Sequence, residues 1–122
     1  MTVDTACSSS IFALHQALNA ITVGDCEDAI VASANLIMSP ELLIGAAVAG
    51  VLSPTGTSHT FDASADGYGR AEGINAIYVK RLSAALRDGN PVRAVIRGSA
   101  VNAYVYSHTL RPFLLHIWTY VC

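Results

Sequence analysis

Strand, helix and strand succeed one another within the first 32 residues, and this succession constrains the chain more than any other feature. Residues 1–4 read as the end of a strand. Ile11, Leu14, Leu18 and Ile21, with Phe12, Ala13 and Ala17 beside them, recur at helical spacing until Gly24 stops the pattern. Asp4, Thr5 or a serine of the 8–10 run is placed to cap that helix. Ala29–Ala32 is then a short apolar run between Asp28 and Ser33, the pattern of a strand buried on both faces. The unit reads as βαβ with a right-handed crossover, and the class as α/β.

The remainder continues in the same style. Pro40 suits the first turn of a second helix over 41–50, where Gly45, Ala46, Ala47, Ala49 and Gly50 offer small side chains for close backbone approach. Residues 53–73, "SPTGTSHTFDASADGYGRAEG", are rich in Gly, Ser, Thr and Asp and read as a long loop, a kind of segment that is more often functional than accidental in a compact domain. Ile74–Lys80 is expected to be a strand and Ser83–Asp88 a short helix closed by Gly89 and Pro91. Val92–Val101 is expected to be a further strand.

Residues 103–122 break the style. Tyr104, Tyr106, Phe113, Trp118 and Tyr120 bring five aromatics into a segment with one arginine, no acids and no clean period. No folding role follows from its pattern.

Composition excludes several function classes. The chain is 52% hydrophobic and only 13% charged, against about 25% charged in ordinary soluble domains, so its apolar elements need cover on several sides. Seven basic residues spread along a chain of net charge −2 make no patch for a phosphate backbone, and no nucleic-acid partner is expected. The apolar run from Leu42 to Leu52 is far short of the ~20 residues that cross a bilayer, and no membrane span is expected. Cys7, Cys26 and Cys122 are odd in number and unrelated in spacing, which suits a reducing, cytoplasmic setting.

Cys7, within "VDTACSSS" and just ahead of the first helix, is the candidate catalytic residue. Unpaired N–H groups and the helix dipole at such a position favour the thiolate, and the same groups stabilise an oxyanion as an acyl group transfers. A small side chain packed at a turn would leave the same sequence trace, so position alone keeps both readings open. A histidine usually assists a catalytic cysteine. His15 is too distant for this, since eight helical residues span about 12 Å. His59 falls in the long loop, and His108 and His116 fall in the tail. Cys26 reads as a structural residue of a turn.

Other chemistry is not favoured. Gly67, Gly69 and Gly73 are spaced one residue too long for the dinucleotide fingerprint and precede a strand instead of opening a helix. "CSSS" lacks the glycines of a serine-hydrolase elbow. Asp62, Asp66 and Glu72 have no histidine or cysteine spaced with them as a metal set, and turn-forming contacts are the expected use of these acids. No metal site is expected.

"VDTACSSS", "SPELL", "LSPTGTSHTFDASADGYGRAEG" and "VKRLSAALRDGNPVRAVIRGSAVN", in unbroken order from Thr2 to Asn102, resemble the ketosynthase domain of polyketide synthases, most closely the iterative multidomain fungal type. The resemblance implies part of the N-terminal half of a thiolase-like fold, a layered α/β/α/β/α arrangement that works as a homodimer in the parent. Cys7 aligns with that family's nucleophile. It takes an acyl chain as a thioester from the phosphopantetheine arm of an acyl carrier protein, with no cofactor bound directly. Decarboxylation of a malonyl unit on a carrier arm then supplies the carbanion that extends the chain. The same domain of a fatty-acid synthase, and a truncated non-catalytic remnant, are the alternatives.

The two histidines that assist decarboxylation in the family have no counterpart in this chain, so the piece alone is expected to be inactive in condensation. Residues 1–102 are thus expected to be a partial β-ketoacyl synthase N-terminal domain, and residues 103–122 an unrelated tail translated from an intron or a shifted frame. Part of a layered core is also expected to leave apolar strands and sheet edges exposed.

Overall fold

The structure, a computed structural model, describes residues 1–101 and 117–121. Its elements are α1 (Ser9–Val23), β1 (Asp28–Asn35), α2 (Pro40–Val48), β2 (Gly73–Lys80), α3 (Leu82–Arg87), β3 (Ile96–Val101) and β4 (Ile117–Val121). They fall into two compact units, one of residues 1–33 and 76–122 and the other of residues 34–75.

In the first unit α1 is an amphipathic helix whose Leu14 and Ile21, seven residues apart, are both buried. Gly24 ends it in the left-handed conformation, at φ 90°, and its N–H and that of Asp25 both donate to the Ala20 carbonyl. The helix packs against β3, and a hydrogen bond of 2.8 Å between His15 Nδ1 and Ser99 Oγ joins the two elements. Asn19 Nδ2 faces His15 Nε2 at 3.1 Å, so both ring nitrogens are engaged. Among the described residues, Val31 of β1 and Ala85 of α3 are the other buried apolar residues.

β1 pairs with β2, and Tyr78 Oη donates to Asp28 Oδ2 at 2.6 Å. That bond raises the phenol's pKa above its ordinary value, because losing the proton would set two anions side by side. β3 pairs antiparallel with β4, with Gly98 opposite Tyr120 and Ala100 opposite Trp118, and the register shifts between Ile96 and Gly98. A cleft of about 330 Å³ lies beside β2, α3 and the 90–96 segment, lined by Leu18, Ile77, Val79, Ala85, Val92 and Ile96 among others.

In the second unit α2 begins with Pro40 after an extended Ser39. None of its residues is buried, and a Cβ on Gly45 would meet nothing within 4 Å, so its small residues serve no close approach in this structure. The long loop is organised around an isolated bridge between Leu52 and Tyr68. Ser53 N–H donates to the Tyr68 carbonyl at 3.0 Å, and Tyr68 N–H to the Val51 carbonyl at 3.1 Å. A Cβ on Gly67, whose φ is 142°, would collide with the Ser53 nitrogen, and one on Gly69 with the Gly56 carbonyl oxygen. Both glycines are therefore required by backbone approach, which gives the G-x-G spacing a structural use.

Three expectations need correction. Residues 1–4 form no strand; only an isolated bridge between Thr5 and Cys7 is present there, and the expected βαβ unit has no first strand among the described residues. β1 is not buried on both faces, since Val31 alone is buried while Ile30 is 74% exposed. The strand expected over Val92–Val101 is β3, which starts only at Ile96, the residue at which pairing with β4 begins. The exposed apolar strands follow the expectation of a partial core.

Candidate functional site

The turn before α1 is built from the side chains of its own residues. Ala6 adopts φ 56°, the left-handed region that a residue with a Cβ enters only when its surroundings hold it there. Asp4 Oδ1 accepts the Ala6 N–H at 3.1 Å, the Asx arrangement that short acidic side chains form with the backbone two residues on. Ser9 Oγ accepts the Thr5 N–H at 2.9 Å and donates to the Ala6 carbonyl at 2.6 Å. Ser8 Oγ donates to the Thr5 carbonyl at 2.7 Å and lies 2.9 Å from Thr5 Oγ1. Ser8 and Ser9 N–H groups donate to the Thr5 and Ala6 carbonyls at 3.4 and 3.1 Å.

Cys7 sits inside this turn, immediately before the N-cap residue Ser8, and its side chain is exposed. Its N–H donates to no group among the described residues. The sequence thus located the thiol at the helix entrance, and the structure presents it to solvent instead of packing it. The capping differs from expectation. Ser8 makes no side-chain hydrogen bond to the helix N–H groups, Asp4 serves Ala6, and the serine hydroxyls turn back to the loop. Ser9 is the residue that sequence reasoning missed; its signal was the serine two positions after the cysteine.

Among the described residues of the first unit, no histidine joins Cys7. His15 is committed to Ser99 and Asn19 on α1, while His59 belongs to the second unit, where its carbonyl accepts the Asp62 N–H at 3.1 Å. His108, His116 and Cys122 lie outside the described residues. Cys26 is half-buried. Asp62 makes the expected turn contacts: Ser64 donates to Oδ1 from its N–H at 2.8 Å and its hydroxyl at 2.7 Å, and these bonds hold the carboxyl below its ordinary pKa. Glu72 accepts the Ile37 N–H at 2.6 Å, and Arg70 donates to Asn35 Oδ1 and Tyr68 Oη, both at 3.3 Å. Among the described residues no group of three or more His, Cys, Asp or Glu side chains could hold a metal ion, and no helix is long and apolar enough to cross a membrane.

An α/β segment with this path is of the kind found in ketosynthases. It superposes on a ketosynthase domain of oxazolomycin synthesis from Streptomyces albus with a TM-score of 0.79 at 45% identity, covering 84% of this chain and 18% of that one. On the ketosynthase from module 6 of the bacillaene synthase of Bacillus subtilis the TM-score is 0.82 at 34% identity, covering 88% and 19%. The chain belongs to the β-ketoacyl synthase family: residues 1–85 match the family's N-terminal domain. Its curated relatives include highly reducing polyketide synthases of Aspergillus ruber, 84% identical over 102 residues, and of Hypocrea virens, 64% identical over 102 residues. The prosolanapyrone synthase of Alternaria solani is 57% identical over 103 residues. Each of these alignments covers 84% of this chain and 4% of the relative.

Proposed function

We propose that this chain carries the nucleophile of a ketosynthase, and that Cys7 is the residue that takes up the acyl group. The observation that carries the reading is the exposed Cys7 thiol on a hydrogen-bonded turn at the mouth of α1, within the segment matched by the family. The sulfur attacks the carbonyl of an acyl thioester held on the phosphopantetheine arm of an acyl carrier protein. Cys7 gives up its thiol proton to solvent, the carbonyl π electrons move to oxygen, the tetrahedral intermediate collapses with cleavage of the carrier C–S bond, and the carrier sulfur takes a proton from solvent and leaves as a thiol. The product is an acyl group on Cys7 Sγ. The Cys7 N–H, which no described residue accepts, stands next to the reacting sulfur and is a donor for the oxygen that gains charge.

Carbon–carbon bond formation needs decarboxylation of a malonyl thioester, and this chain holds no counterpart of the two family histidines. The acyl-loading half of the reaction is therefore assigned to these residues, and condensation to the wider protein, working as a dimer. The relatives, named as highly reducing polyketide synthases, favour polyketide over fatty-acid synthesis. One solved form of the bacillaene ketosynthase is a cysteine-to-serine variant, which fits a central cysteine in such domains.

The test is incubation of the full 122-residue chain with an acyl N-acetylcysteamine thioester, followed by mass mapping. Acyl label at Cys7, abolished in Cys7→Ala, is the expected result. Equal label at Cys7, Cys26 and Cys122 overturns the reading in favour of a non-catalytic remnant.

A further inference from the structure

We propose that Ser9 is a positioning residue for acyl transfer at Cys7, and that it acts by fixing the direction of the Cys7 N–H. The inference rests on the reading of Cys7 given above. Its basis is the peptide unit that joins Ala6 to Cys7. Ser9 Oγ donates to the Ala6 carbonyl at 2.6 Å, and Ser9 N–H donates to the same oxygen at 3.1 Å. No peptide bond among the described residues is cis, so the N–H of that unit points opposite to its carbonyl. Two donors from Ser9 hold the carbonyl on the helix side. They thereby turn the Cys7 N–H away from the helix, where no described residue accepts it.

The hydroxyl has its second use in the Thr5 N–H, which it accepts at 2.9 Å. Thr5 and Ala6 are thus tied to one oxygen across the residue with φ 56°, and Asp4 holds the Ala6 N–H from the other side. The left-handed geometry at Ala6 is what rotates the peptide, and Ser9 supplies both the donor and the acceptor that keep it rotated. Ser8 and Ser9 differ in this respect. The Ser8 hydroxyl bonds only to Thr5, whereas among the described side chains that of Ser9 reaches the peptide that carries the Cys7 N–H.

An N–H aimed in advance lowers the barrier to thioester attack, where charge develops on oxygen, and contributes nothing to alkylation by iodoacetamide, where it does not. This difference separates positioning from simple support of the turn. The experiment measures both rates at Cys7 by mass mapping in the full chain, with Cys26 alkylation as an internal reporter of unfolding, for Ser9→Ala, Ser9→Val and Ser9→Thr. Thr and Val have nearly the same shape and differ in the hydroxyl, so the pair remains informative where Ala disturbs the fold.

In Ser9→Ala and Ser9→Val, acylation by the N-acetylcysteamine thioester is expected to fall about tenfold or more while alkylation of Cys7 changes less than about twofold, in keeping with the loss of an oriented donor. Ser9→Thr is expected to restore acylation. Equal loss of both rates, or acylation that ignores the hydroxyl, overturns the role of Ser9 and leaves Cys7 as nucleophile. A wild-type chain alkylated but never acylated at Cys7 overturns the reading of Cys7, and Ser9 falls with it.

Discussion

The guanidinium of Arg81 donates to the carbonyl oxygen of Ile21 from Nη2 at 2.6 Å and from Nε at 3.2 Å, with the Thr22 carbonyl 3.5 Å from Nη2. α1 has no basic residue in its own last turn, so Arg81, sixty positions further along the chain, supplies the positive charge that the helix C-terminus favours. Both carbonyls are among those that a helix end leaves unpaired. Arg81→Ala is expected to lower stability by about 1 kcal/mol, measured by urea unfolding followed at the α1 helical signal. Arg81→Lys should recover only part of the loss, because an ammonium lacks the planar fork that engages one oxygen with two nitrogens. Full recovery by lysine would reduce the contact to a general charge effect.

Gly69 has an ordinary backbone conformation but no room for a side chain, because a Cβ there would run into the Gly56 carbonyl oxygen. Gly69→Ala forces the segment carrying Tyr68 away from residues 52–57 and is expected to cost about 2 kcal/mol or more. Hydrogen exchange provides the check. The Ser53 and Tyr68 amides, paired across the bridge at 3.0 and 3.1 Å, should lose protection in Gly69→Ala and keep it in Gly73→Ala, where the added carbon meets nothing within 4 Å. Unchanged protection in Gly69→Ala would mean that the loop accommodates the methyl group.

These two sites mark the limits of what the sequence made legible. Gly24 could be read as the end of α1 because a helix stop needs only local backbone freedom, and the 3.6-residue period found Leu14 and Ile21, which are buried. Pro40 was equally readable. Arg81 was not, because its partner is distant in sequence and a lone arginine carries no period. Burial of β1 was misjudged for a related reason: a run of apolar residues reports what a strand would bury in a complete core, and Ile30 here stays exposed. Cys7 was placed by residues on both sides of it, whereas the use of Ser9 depends on the rotation of one peptide, which no residue pattern encodes. β4 was missed because Ile117–Val121 lies in an aromatic segment without alternation.

Asp88 is flanked by two cations: Arg87 Nε lies 2.8 Å from Oδ1 and Lys80 Nζ 2.5 Å from Oδ2. The Arg87 hydrogen bond, and then that of Lys80, hold the carboxyl down at about 2 from an ordinary 3.8. A depressed carboxyl favours the folded state at any pH above its unfolded value, and the contribution is lost as pH falls from about 3.8 through about 2. Unfolding midpoints recorded between pH 5 and pH 2 at low salt should therefore decline more steeply for the natural chain than for Asp88→Asn. The two curves should converge at the acid end, and added salt should narrow the gap, since the pair is partly exposed. Parallel curves would remove Asp88 from the acid response.

The apolar surface is the last point that experiment can address directly. Met38 is 87% exposed, Val48 84% and Ile74 75%, and on α2 no residue is buried. Exposed apolar side chains in this number mark surfaces that other protein normally covers, and they bind hydrophobic dyes. The chain is expected to enhance anilinonaphthalene sulfonate fluorescence at neutral pH and to self-associate as its concentration rises. Because Met38 and Val48 contribute nothing to a buried core, Met38→Lys and Val48→Lys should change stability by no more than about 0.5 kcal/mol. Both should lower dye binding and weaken self-association, read by fluorescence titration and sedimentation. If either substitution destabilises the fold strongly, the side chain is packed in solution and the surface around α2 is not free.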